Sequence, residues 1–282
     1  MLSGTWRTLE TLRALIRQTR ALTTRPFGVN LVLAWDMTER VEICLAEGVP
    51  ILSFFWGDPA AHIPGIHAAG ASVFHTVASA DEARRAADAG VDVLVAQGWE
   101  AGGHVWGSVA TLALVPRVVD AAPDLPVLAA GGIADGRGIA AVLALGAEAA
   151  WIGTRFLLAD EARVHPQYRQ RLQEATETDT LYTERFSVGW PGAPHRVLHR
   201  PNDWNRAEAI VAHYDDGEAI PRLSSNLPAP SVVGDIDAMC LYAGQGVGLV
   251  RGALPAGRIV AALAEETRAA LRNLWEHQGT IG

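Results

Sequence analysis

The stretch Ala96-Gln97-Gly98-Trp99-Glu100-Ala101-Gly102-Gly103-His104 places one histidine in a glycine-rich turn directly after an apolar run. A side chain that follows a buried parallel strand points into the mouth of a barrel, where a substrate lies, and imidazole is the most frequent side-chain general base. Gly102 and Gly103 allow the backbone to approach a flat ring closely, and the Gln97 amide offers its edge a donor and an acceptor. The alternative is that His104 only hydrogen-bonds its own loop. Two further turns, Gly131-Gly132 and Gly153-Thr154, each follow a short apolar run. Together they supply backbone N–H groups and a hydroxyl able to surround a phosphate, although each alone also fits a tight turn into a helix. Asn30 ends another run, with an amide suited either to a ring carbonyl or to a turn.

The remaining candidates are weaker. His75 ends a strand-like run and is read as a partly buried structural residue, while His195 and His199 fall in a Pro/Gly-rich segment and are read as surface or hydrogen-bonded residues. The nine histidines form no H-x-x-x-H pair on a helix and no acidic cluster accompanies them, so no metal site is expected. All 23 basic residues are arginine, which excludes Schiff-base chemistry and a Walker-type lysine. A formal charge of −8 and scattered arginines argue against a nucleic-acid partner and leave a small-molecule substrate. Cys44 and Cys240 have no metal spacing and are too few for a secreted disulfide scaffold. No apolar run is long enough for a membrane span or a signal peptide, so a cytoplasmic protein is expected, and the Ala/Arg/Gly bias fits a bacterial one.

The elements that must position these residues follow from periodicity. Six apolar or β-branched runs, at 26–33, 49–55, 71–77, 91–96, 126–130 and 149–153, suit buried parallel strands. Helix-length segments separate them, such as the one opened by the capping box Ser79-x-x-Glu82 and ended by Gly90, or those at 38–48 and 135–146. Leu9, Leu12, Leu15, Ile16 and Leu22 make a further helix face. Strand, helix, strand with short connections means βαβ units, and the absence of a glycine fingerprint after the first strand favours a TIM (β/α)8-type barrel over a doubly wound sheet. If the glycine turns close strands seven and eight, 26–33 becomes strand three and no sequence is left for strands one and two. Residues 1–160 are then an incomplete barrel, 161–256 a cap with helical pieces at 161–178 and 205–215, and 257–282 a closing helix. Unpaired barrel edges of that kind predict aggregation or dimerisation, a homodimer in the second case.

Three stretches together resemble nitronate monooxygenases: the run 96–104, Leu128-Ala129-Ala130-Gly131-Gly132-Ile133-Ala134-Asp135-Gly136, and Ile152-Gly153-Thr154-Arg155-Phe156. The similarity returns at Tyr242-Ala243-Gly244-Gln245-Gly246. The resemblance implies non-covalent FMN, with its phosphate at Gly131, Gly132, Gly153 and Thr154 and its ring near Asn30, Gln97, Gly102 and Gly103. It makes His104 the base that removes the proton α to a nitro group, with alkyl nitronate and O2 as substrates and a carbonyl compound and nitrite as products. Two departures stand out: the family's first strand, typically ending in Pro-Met, is not found here, and Trp151 stands where the family often has glutamine. The same barrel and a similar histidine turn occur in FMN- and NAD(P)H-dependent enoyl-acyl-carrier-protein reductases, which is the alternative activity. An inactive barrel without flavin is the third.

Overall fold

All six expected strands form, within a residue or two of the expected limits. The computed structural model describes residues 1–199 and 208–278, and backbone contacts divide the chain into two units, Met1–Ala96 with Leu114–Leu128 and Gln97–Ala113 with Ala129–Gly282.

The first unit alternates strand and helix: β1 (Leu2–Ser3), α1 (Leu9–Leu22), β2 (Gly28–Val32), α2 (Thr38–Ala46), β3 (Ile51–Phe55), α3 (Ile63–Ala68), β4 (Ser72–Val77), α4 (Ala80–Ala89) and β5 (Val93–Gln97). Neighbouring strands pair in parallel from β1 to β5. Beyond the short β6 (Gly103–His104) of the second unit, α5 (Thr111–Ala121) leads into β7 (Val127–Ala130), whose first half lies beside β5. The helix limits follow the cap chemistry. Ser79 Oγ accepts from the Glu82 amide at 3.2 Å, Glu82 accepts from the Ala78 amide at 2.7 Å, and Gly90 ends α4 at φ 94°. Along α1, Thr8 caps the start and Leu12 and Ile16 are fully buried, each worth about 1.5–3 kcal/mol in apolar burial. Leu22, expected on the same face, is 82% exposed.

The parallel register sorts the strand residues onto two faces. Asn30 pairs with Ser53, Ser53 with Phe74 and Phe74 with Val93, so these share one face. Phe54, His75 and Leu94 share the other, where all three are buried. His75 is therefore a structural residue on the face opposite Asn30, and burial pushes its pKa below the usual imidazole value. The two-residue β1 was not foreseen. It pairs Leu2 with Val29 and Ser3 with Asn30, so Met1–Gly4 does supply a strand ahead of 26–33.

In the second unit the end of β7 lies beside β8 (Ala149–Trp151), and α6 (Gly136–Ala144) connects them. Asp135 caps α6 by accepting from the Arg137 and Gly138 amides. α7 (Pro166–Glu174) is shorter than the expected 161–178. Two small antiparallel sheets follow: β9 (Thr180–Thr183) and β10 (His195–Leu198) in the order β6-β10-β9, then β11 (Ile210–His213), β12 (Ala219–Pro221) and β13 (Val233–Gly234) in the order β12-β11-β13. The expected helix at 205–215 lies partly outside the described residues, and its described part contains strand β11. The acidic turn Asp215-Asp216-Gly217, with Gly217 at φ 86°, is what folds β11 back onto β12. The closing helix α8 (Ala256–Gln278) packs on α6 so tightly that a Cβ at Gly136 would lie 2.3 Å from Glu266 Cβ. Among the described residues, no helix is long and apolar enough to cross a membrane.

Candidate active site

The turn after β5 is held by close backbone approach. A Cβ at Gly98 would meet Thr111 Oγ1 at 1.9 Å, and one at Gly102 would meet the Gly244 amide nitrogen at 2.3 Å, so neither position admits a side chain. The Gln97 carboxamide spans the following loop, donating to the His104 carbonyl and accepting from the Trp106 amide, both at 3.1 Å. Glu100 accepts from the Thr111 amide at 2.9 Å and takes the Gln245 amide on its backbone oxygen, also at 2.9 Å. Arg196, on β10, donates to the Trp99 carbonyl at 2.8 Å with its guanidinium 4.4 Å from the Trp99 ring centroid. Only 2% exposed, it is a buried cation spread over aromatic faces, and burial lowers its pKa.

Antiparallel pairing sets the position of His104. β6 opposes β10 with His104 facing His195 and Gly103 facing Arg196. Because alternate strand residues point to opposite faces, His195 and Arg196 go to different sides. The His104 ring is 4.0 Å from Trp190 and tilted 30° to it, 5.4 Å from Tyr242 and 5.5 Å from His195. This enclosure pushes the His104 pKa down to about 3, through burial first and the neighbouring imidazole second. His104 is therefore a neutral imidazole at ordinary pH. His195 is fully buried, with Nδ1 bound to the Ala193 carbonyl at 2.8 Å and Nε2 accepting from the Phe186 amide at 3.4 Å. Those contacts select the Nδ1–H tautomer, so the expected surface or hydrogen-bonded histidine is a buried, hydrogen-bonded wall of the His104 pocket.

Beside this cage lies a glycine-lined cleft of about 160 Å3. Gln97, Gly102, Gly131, Gly132, Gly153 and Thr154 all line it, so six of the expected residues converge within one unit. Gly131 and Gly132 have φ of 104° and 70°, a left-handed pair that side chains rarely adopt. Gly153 has no such constraint, yet nothing lies within 4 Å of where its Cβ would be, so its missing side chain leaves open space. Thr154 Oγ1 accepts from the Gly244 amide at 3.0 Å, and Gly244 and Gly246 complete the lining. The volume is below the roughly 300–1,000 Å3 of pockets that enclose a whole drug-sized ligand. It suits the phosphate end of a larger group. Trp151 also lines the cleft. Asn30 is in the first unit, where its Oδ1 accepts from Ser53 Oγ at 3.1 Å. Trp190, Tyr242 and His195 were not singled out as site residues. Only Tyr242 carried a signal, at the start of the run 242–246.

Comparison with known proteins identifies the family. The sequence profile of the nitronate monooxygenase family matches residues 34–266. The chain is 32% identical to FabK from Thermotoga maritima, with a TM-score of 0.80 over 96% of this chain and 85% of that one. Nitroalkane oxidase from Streptomyces ansochromogenes gives 30% identity and a TM-score of 0.76, over 97% and 89%. A (3aS,4S,5R,7aS)-5-hydroxy-7a-methyl-1-oxo-octahydro-1H-indene-4-carboxyl-CoA dehydrogenase from Mycobacterium tuberculosis is 41% identical over 201 residues, 70% of this chain but 55% of its own length. The chain thus spans about half the length of the curated relatives it matches. Because that profile match covers most of the chain, the protein belongs to the nitronate monooxygenase family.

Proposed function

We propose that the chain binds FMN with its phosphate in the glycine cleft and oxidises alkyl nitronates, and nitroalkanes through them, with O2 to a carbonyl compound and nitrite. The observation that carries this reading is the neutral, enclosed His104 on the same loop as Gly102, which lines the cleft. The cleft suits FMN: left-handed glycines at 131 and 132, open space at Gly153 and the Thr154 hydroxyl fit a phosphate, and a Cβ at Gly153 would occupy that space. When bound, FMN supplies an electron acceptor for the nitronate and a centre that reacts with O2.

The residues of the chain do the rest. A nitroalkane must first lose its α proton, and the neutral His104 imidazole has the lone pair to take it. Trp190 and Tyr242 wall the ring, and the attraction of the nitronate left beside the new imidazolium offsets the cost that burial places on that cation. A supplied nitronate already lacks that proton, so it makes no demand on His104.

A second reading is favoured by the 41% identity to a CoA-thioester dehydrogenase. There the same imidazole removes a proton from an acyl-CoA. The experiment is anaerobic mixing of the flavin-loaded protein with propyl-2-nitronate, with NAD(P)H and with acyl-CoA esters, followed at the flavin absorbance. Bleaching by the nitronate, with a His104→Asn variant that keeps nitronate turnover and loses nitroalkane turnover, is the expected result. Bleaching by NAD(P)H or acyl-CoA alone, or purified protein unable to hold flavin, overturns the proposal.

A further inference from the structure

On the far side of Ala134 from the glycine cleft, within the same unit, lies a second cavity of about 520 Å3 between the start of α6, the turn after β8 and α8. Its size falls within the roughly 300–1,000 Å3 of small-molecule sites. One wall is aliphatic, formed by Ile259, Leu263 and Ala270 of α8 with Leu249 and Leu254 at its rim, the last two 47% and 40% exposed. The polar wall carries Arg137, Arg155 and Arg251.

The charges on that wall are unevenly matched. Arg137 is neutralised by Asp135 at 2.5 Å, and Glu266, the other carboxylate of the lining, accepts the Gly136 amide at 2.9 Å. Glu266 acts on Arg155 without forming an ion pair. Arg155 is 8% exposed and, among the described residues, donates only to the Gly252 carbonyl, at 3.2 Å. Arg251, one residue from that carbonyl, is exposed and donates to the Val250 carbonyl at 3.4 Å. Among the described residues, neither Arg155 nor Arg251 has a carboxylate within 4 Å, so two guanidinium groups without an ion-pair partner line the same largely aliphatic cavity. Guanidinium forks match phosphate oxygens bidentately, and two of them answer a dianion better than a single carboxylate would.

We propose that this cavity is a second ligand site, which takes an organic phosphate: the phosphate against Arg155 and Arg251, the apolar body along α8. It stands apart from the flavin reading, since its arginines and aliphatic wall are not in the glycine cleft. Titration calorimetry on the full chain, with ADP, hexyl phosphate and inorganic phosphate as probes, tests it. The expected result is that at least one organic probe binds tenfold or more tighter than inorganic phosphate. Arg251→Gln should weaken that probe about tenfold, and Ala270→Trp, which fills the aliphatic end, should weaken it without changing inorganic phosphate. Preference for ADP identifies a nucleotide, and preference for hexyl phosphate an alkyl phosphate. Equal binding of all three probes (an adventitious ion only), absence of binding, or binding unchanged in both variants, as expected for phosphate in the glycine cleft, overturns the proposal.

Discussion

Lowering the pH from 7 to 5 should destabilise the protein through His104 in a way that a non-titrating replacement removes. The His104 pKa is held at about 3 by burial and by the neighbouring His195, against about 6.5 in an unfolded chain. Between those values the unfolded chain binds a proton that the folded chain does not. The stability contribution is therefore fully present above about pH 6.5 and is lost as the pH falls towards 3. Integrating the two titrations from pH 7 to pH 5 gives a loss of about 2 kcal/mol from this residue alone. His75 and His195 are also depressed by burial and act in the same direction, so the native protein loses more than this in total. The comparison that isolates His104 is urea unfolding of the native chain and of His104→Gln at both pH values, monitored by tryptophan fluorescence. The native protein should lose about 2 kcal/mol more than the variant between pH 7 and 5. Equal losses, or a His104 resonance titrating near 6.5 in the native protein, would refute the enclosure of this ring by Trp190, Tyr242 and His195.

The same displaced pKa bears on rate: with His104 neutral from about pH 5 upwards, kcat/KM for a nitroalkane should show no acid limb between pH 5 and 7. A limb near 6.5 in the pH profile would mean a solvated base. Two glycine variants should behave oppositely. Gly102→Ala puts a methyl 2.3 Å from the Gly244 nitrogen and should cost about 1–3 kcal/mol or more in thermal unfolding. Gly153→Ala meets nothing within 4 Å and should fold within about 0.5 kcal/mol of the native chain, yet lose tenfold or more in flavin affinity by fluorescence titration. Arg196→Met keeps an apolar stem beside Trp99 but leaves the Trp99 carbonyl without its donor; a loss of about 1–3 kcal/mol is expected, measured by urea unfolding.

The barrel strands were legible because the chain states them twice, as apolar runs and as cap chemistry between the runs. Ser79 with Glu82, Gly90 and Asp135 each do in the structure what their positions imply. β1 was not legible, since two residues carry no periodicity and only their pairing with Val29 and Asn30 makes them a strand. Residues 208–215 were misread for a different reason. Glu208 and the alanines favour helix locally, but the turn at Gly217 and the pairing of Ile210 with Pro221 override that propensity.

The site divides along the same line between local and distant causes. Glycines announce themselves because their positions forbid a side chain or require a left-handed backbone, as at Gly98, Gly102, Gly131 and Gly132, so the cleft could be assembled from the sequence. His104 could be nominated by its place after β5, but its proton affinity could not be read there. That property comes from His195, brought opposite by the pairing of β6 with β10, and from the rings of Trp190 and Tyr242 beside it. Trp190 and His195 lie in the run Gly189-Trp190-Pro191-Gly192-Ala193-Pro194-His195, where prolines and glycines erase any period that would assign a face. A substitution in that run should therefore shift the proton affinity of the imidazole with His104 itself untouched. Of its residues Trp190 has the most leverage, being itself buried and 4.0 Å from the imidazole, against 5.5 Å for His195.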